Sequence, residues 1–115
     1  MKQSGTGRRR IHIALAVARL DAAIPEFTAR LGVEPSVVAK GAYALFVTPE
    51  VNLSLSELPE QAGQLRHLGF EEPKAAGFGV ETDSSGFVWE TFSAAQQADE
   101  IMERWPGAVW RKSGT

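Results

Sequence analysis

The chain contains no cysteine, which excludes both a disulfide framework and a thiolate metal site. It has no apolar run long enough to span a bilayer, and its first ten residues lack the apolar core of a secretory signal. A cytoplasmic location without a membrane partner is therefore expected. Excess positive charge is missing too: 12 Lys and Arg stand against 14 Asp and Glu, a formal net charge of −2. Nucleic acid, which requires a basic patch, is not an expected partner. The one basic cluster, Arg8–Arg10, follows the small and polar Met1–Gly7 and reads as part of a flexible N-terminal arm over 1–9. Histidine occurs only twice, at His12 and His67.

What is present fits one small domain. The 115 residues are 43% hydrophobic and 23% charged, enough for one buried core but not two. The expected domain spans 10–110, with a flexible tail over 111–115. The two histidines stand in matching surroundings. Ile11–Val17 alternates as a half-buried strand does, with Ile11, Ile13, Leu15 and Val17 on the face expected to meet the core. The other face carries His12, Ala14 and Ala16, an imidazole beside small neighbours, as a concave face with room for a ligand would. Leu65–Phe70 repeats the pattern, with His67 followed by Leu68, Gly69 and Phe70. Both copies read His, apolar, small, apolar, which points to an internal repeat.

The chain between the histidines completes the first copy. Asp21 is suited to cap a helix that places Ile24, Phe27 and Leu31 on one face, with Pro25 near its first turn and Gly32 just past its end. Strands are expected over Ser36–Ala39, Tyr43–Val47 and Val51–Ser56, which gives the order β-α-β-β-β. After a polar link over Leu58–Gln64, the second copy opens on the His67 strand. A short strand at Phe78–Glu81, a turn at Asp83–Gly86 and a strand at Phe87–Phe92 follow. Ser93 and Gln96 form a capping box for a last helix presenting Ala94, Ala98, Ile101, Met102 and Trp105, which stops at Pro106-Gly107. Trp105 and Trp110 are expected to pack that helix down.

Two β-α-β-β-β copies, each opened by a histidine strand, resemble the vicinal oxygen chelate superfamily. That superfamily includes glyoxalase I, bleomycin-resistance proteins, fosfomycin-resistance enzymes and extradiol dioxygenases. The matching stretches are Ile11–Leu20, the helix through Leu31-Gly32, Tyr43–Phe46, Asn52–Glu57, Leu65–Phe70 and Asp83–Phe92, roughly residues 10–92. Tyr43–Phe46 followed by Asn52–Glu57 is most similar to the cadmium-induced and carbon–arsenic lyase branch. The resemblance implies an α+β fold, two βαβββ-type modules forming a cupped mixed β-sheet, here with a C-terminal helix added. Only 22 residues separate His67 from Glu90, against roughly thirty for a strand, crossover helix and return strand. The second module is therefore expected to lack its crossover helix, and a strand with it.

The resemblance also implies metal ligands on the first strand of each copy and the last strand of the second: His12, His67 and Glu90. Two imidazoles and a carboxylate suit a divalent ion with open positions, Fe(II) or Mn(II) first, with Zn(II) or Ni(II) as alternatives. The last strand of the first copy offers Asn52, Ser54 and Ser56, so three ligands are expected rather than four; Glu57 is out of phase with them. The competing readings are hydrogen-bonded structural histidines, and a Glu90 carboxylate paired with Arg66. Substrate walls are expected from Ala14, Leu65, Gly69, Val88 and Phe92. The implied function is binding of a metal and a small organic molecule, with dioxygenase or lyase chemistry; the alternative is a non-catalytic drug- or toxicant-binding protein. An exposed strand face and open edge left by the missing helix point to a homodimer.

Overall fold

The computed structural model describes residues 9–111. Strand β1 (Arg10–Val17), helix α1 (Leu20–Leu31) and strands β2 (Val37–Ala39), β3 (Tyr43–Val47) and β4 (Val51–Glu57) form the first module. A single 3-10 turn at Pro59–Gln61 leads to β5 (Leu65–Glu71), β6 (Gly79–Thr82) and β7 (Val88–Phe92). Helix α2 (Ala94–Arg104) and a two-residue strand, β8 (Val109–Trp110), close the chain. The strands make one mixed sheet in the order β6-β7-β5-β1-β4-β3-β2-β8.

The wiring repeats. β1 runs parallel to β4, which pairs antiparallel with β3; likewise β5 runs parallel to β7, which pairs antiparallel with β6. An antiparallel β1–β5 pairing joins the halves. The fold is thus the α+β arrangement of two related modules. Among the described residues the second module has neither a crossover helix nor a counterpart of β2.

Each face of the first module is covered by one helix. On the convex side Leu20 and Ala23, with Ile24 and Phe27, pack on Phe46, Leu53 and Leu55. On the concave side Ile101 and Trp105 of α2 pack on Val37, Tyr43 and Leu45, and Trp105 stacks on Tyr43 with ring centroids 4.6 Å apart. Coverage from both sides explains why Tyr43–Phe46 and Asn52–Leu55 are buried without a break.

Burial on β1 differs from the expected sense. His12, Ala14 and Ala16 are buried, whereas Ile11 is 38% exposed. β1 lies at the seam, and α1 covers only the first module's side of it, so the branched face is half open.

The start of α1 also differs. The helix begins at Leu20, and Asp21 does not cap it; the N-cap position is Arg19, whose side chain makes no capping bond. Instead the Glu57 carboxylate, at the end of β4, accepts from the Leu20 N–H at 2.8 Å. Pro25 consequently lies inside the helix rather than near its first turn, where it withholds the N–H that would bond the Asp21 carbonyl. Gly32 ends α1 with φ of 75°, its N–H donating to the Thr28 carbonyl.

The capping box of α2 is formed in both directions, but its buried face is Gln97 and Ile101, while Ala94 and Met102 are exposed. An apolar count cannot find Gln97, which is buried because its amide makes two hydrogen bonds with Asn52 on the sheet. β8 was not expected. It extends the sheet beside β2, and the Arg111 N–H donates to the Ser36 carbonyl. Of the expected N-terminal arm only Arg9 is described; it lies over the Phe70 ring at 3.9 Å. The rest of the arm, and the tail beyond Arg111, lie outside the described residues. Among the described residues no helix is long and apolar enough to cross a membrane.

A cap supplied from another element is testable. Glu57→Ala should destabilise the protein by about 1 kcal/mol, the usual worth of an N-cap, and Asp21→Ala should cost less. Urea denaturation of both variants checks the order.

Candidate metal centre

Register places the three predicted ligands together. His12 lies beside Asn52 on β4 and beside Gly69 on β5; His67 lies beside Ala14; Glu90 lies beside Gly69. Laterally paired residues share a face, so all three side chains rise from the concave side. His12 Nε2 and His67 Nε2 are 3.0 Å apart, and His67 Nε2 is 3.3 Å from Glu90 Oε1. The three donor atoms lie within 4.8 Å of one another.

A buried network sets the chemistry of His12. Its Nδ1 faces two acceptors, Asn52 Oδ1 at 2.8 Å and the Asn52 carbonyl at 3.1 Å. The proton therefore sits on Nδ1, and Nε2 presents a lone pair toward His67. The Asn52 amide is itself held. Its Nδ2 donates to Glu71 Oε1 at 3.0 Å and Gln97 Oε1 at 2.8 Å, and its Oδ1 accepts from Gln97 Nε2 at 3.1 Å. Glu71 is buried, and its other oxygen takes Arg10 Nη1 at 2.7 Å. Every member is satisfied, the condition under which a buried polar network stabilises.

Burial pushes the His12 pKa below the usual imidazole value, against the opposing pull of the Asn52 bonds and the Glu71 charge. Burial, then His12, then Arg66 drive His67 down to about 4. Both rings are thus neutral at pH 7, and the His67–Glu90 contact is not an ion pair despite its 3.3 Å separation. Burial raises the Glu90 carboxyl, and Glu100 adds to that, while Arg66 opposes it.

The donor set fits a divalent ion. Ligand atoms about 2.1 Å from one ion and at right angles to each other lie about 3 Å apart, which the 3.0 and 3.3 Å separations match, whereas His12 and Glu90 stand farther apart, within 4.8 Å, and would have to draw closer on a shared ion. Two neutral imidazoles and one carboxylate on one face leave further positions open. His12, His67 and Glu90 could hold a metal ion.

Above the triad opens a cavity of about 500 Å³. Phe78 and Phe92, with ring centroids 5.3 Å apart, form one wall, and Tyr43 and Trp105 another. Helix α2 also contributes Gln97, Glu100 and Arg104 to the lining. The C-terminal helix therefore walls the concave side, and Trp105 faces the cavity as well as packing its helix.

Of the five expected wall residues only Phe92 lines the cavity. Ala14 is fully buried beneath it, and Val88 shares the face without reaching the lining. Leu65 is on the opposite face. The β1–β5 register slips between Ala14 and Leu15, so Leu65 pairs with Leu15 and Arg66 is the extra residue. Such a bulge breaks the alternation that would have put Leu65 and His67 on one side. Gly69 has a different task. A Cβ there would lie 2.8 Å from Glu90 C, 2.9 Å from Glu90 N, and closer still to the Glu90 carbonyl oxygen. Its lack of a side chain lets β7 bring Glu90 up to β5. Arg66 donates to Ser56 Oγ at 3.3 Å instead of pairing with Glu90, and Glu57 serves α1. Gln97 and Glu71 were not singled out from the sequence, and Asn52 was weighed there only as a fourth ligand and set aside, not as the residue that orients His12.

No family model matches the chain, and no curated protein matches it. Among solved structures it is similar to an NAD-dependent benzaldehyde dehydrogenase from Legionella pneumophila, at 16% identity and a TM-score of 0.49 over 72% of this chain and 97% of that one. A likeness at that level carries no argument about function.

Gly69→Ala should cost about 1–3 kcal/mol, as overpacking against immovable backbone does. Gly77→Ala, where a Cβ meets nothing within 4 Å, should cost less. Thermal melts of the two variants against wild type make the comparison.

Proposed function

We propose that this chain is a shortened member of the vicinal oxygen chelate superfamily that binds a divalent metal through His12, His67 and Glu90. In this reading a small organic molecule occupies the cavity above. The observation that carries it is the convergence of three donor atoms on the cavity floor, with the His12 tautomer fixed by Asn52. The absence of a thiolate and the imidazole–carboxylate set favour Fe(II) or Mn(II). A bound ion supplies Lewis-acid polarisation of two neighbouring substrate oxygens and, if iron, redox chemistry with dioxygen.

The chain's own residues do the rest. Asn52 aims the His12 lone pair, and Gly69 lets β7 carry Glu90 close. Phe78, Phe92, Tyr43 and Trp105 exclude water around an apolar substrate body. One observation favours the second reading, a non-catalytic binding protein. The Glu57 carboxylate, which lines the cavity, is engaged at the start of α1 and is not free to act as a base.

Calorimetric titration with Mn(II), Fe(II), Ni(II) and Zn(II) tests the metal. One ion per site is expected, with affinity falling by more than about 100-fold in His12→Ala and His67→Ala, since even outer-shell changes cost about 10–100-fold. Absent or millimolar binding of all four ions would sink the reading. Oxygen uptake by anaerobically Fe(II)-loaded protein, with catechols and an aryl-arsenical as substrates, separates dioxygenase from binding protein.

The reading also includes a homodimer. The half of the sheet that lacks a helix leaves Ile11 and Phe87 exposed, and an open edge at β6. Light scattering at tens of micromolar should give twice the chain mass; a monomer would remove this part.

A further inference from the structure

The β-bulge at Arg66 has a consequence at the site. In a regular strand Arg66 would point away from the face that carries His67. The register slip makes it the extra residue, and its guanidinium turns onto the concave side beside the triad. Its Nη1 reaches Ser56 Oγ at 3.3 Å, and Ser56 lies opposite Ala16 on that same face. Among the described residues Arg66 forms no ion pair with a carboxylate. Bulges recur next to functional sites where they re-aim one side chain. Here the re-aimed side chain is a cation at the mouth of a cavity whose walls are aromatic.

We propose that Arg66 anchors the carboxylate of a monoanionic substrate whose apolar, ring-sized body lies between the aromatic walls. This rests on the reading of the cavity as the substrate pocket of the metal site. A guanidinium offers a planar fork that fits a carboxylate with two hydrogen bonds. The charges in the cavity select the monoanion. Glu57, Glu90 and Glu100 line it as well, so a doubly charged group meets about twice the repulsion that a carboxylate does. Arg104, which lies over the Trp105 ring at 4.8 Å, adds positive potential at the far wall.

The test uses phenylacetate, 2-phenylethanol and phenylphosphonate as probes, read by tryptophan fluorescence, to which Trp105 in the wall contributes. Wild type should bind phenylacetate at least about tenfold more tightly than the neutral alcohol, the scale of one charge-assisted contact. Arg66→Gln should abolish that preference, and Arg66→Lys, which keeps the charge but not the fork, should restore part of it. Circular dichroism confirms that the exposed-site variants are folded. Equal affinity for acid and alcohol in wild type, or a preference that survives in Arg66→Gln, would overturn the assignment. Phenylphosphonate binding more tightly than phenylacetate would overturn the carboxylate class. The titrations are run on metal-free and metal-loaded protein, with ion uptake measured separately. A wild type that takes up no ion overturns the function proposed above, whereas the acid–alcohol comparison still decides the role of Arg66.

Discussion

Strand β1 is hydrogen-bonded along both edges, parallel to β4 and antiparallel to β5, and the site depends on that double pairing. Its left and right neighbours come from different modules. The β4 side sets Asn52 against His12, which fixes one tautomer; the β5 side sets His67 within 3.0 Å of the free His12 nitrogen. Because β5 also carries β7, the same pairing brings Glu90 into reach. The polar groups beneath the triad tolerate burial only because each finds a partner. Among the described residues the one buried side-chain polar atom without a partner is Thr28 Oγ1, on α1 across the sheet.

Among the described residues the second module has no crossover helix, which leaves its convex side uncovered but not the pocket. The pocket wall comes from α2, which crosses the concave face and is tied there by two kinds of contact. One is apolar, Ile101 and Trp105 on β2 and β3. The other is the double hydrogen bond between Gln97 and Asn52. The second links the docking of the helix to the orientation of His12, so a change in α2 reaches the ligand set through a single amide.

Both helices, the strands from β1 to β7 and the two matching histidines were legible in the sequence because alternation, the capping box of α2 and the paired histidine surroundings are local patterns; Glu90 as their companion came only from the family resemblance. What was not legible depends on register. Alternation placed Leu65 beside His67, but a one-residue bulge at Arg66 reversed it. Asp21 looked like the cap of α1, yet the cap arrives from Glu57, 37 residues beyond the Leu20 N–H it accepts from. Gln97 sits on the buried face of α2 because of one partner on β4, which no count of apolar positions reveals. Gly69 read as a small wall residue; only the approach of β7 shows that backbone, not ligand, occupies the space.

The two modules differ in a way that register makes explicit. Ala14 and Gly69 each stand two residues after a histidine. Across the parallel pair, Ala14 faces Ser54 and Gly69 faces Glu90. Ser54 therefore occupies in the first module the place that Glu90 holds in the second, and a serine hydroxyl is a poor substitute for a carboxylate as a ligand. A symmetric pair of modules would have supplied four donors. Here the buried polar side chain of β4 that reaches the site, Asn52, orients His12 and docks α2 instead, so the proposed metal would take the rest of its coordination from the cavity.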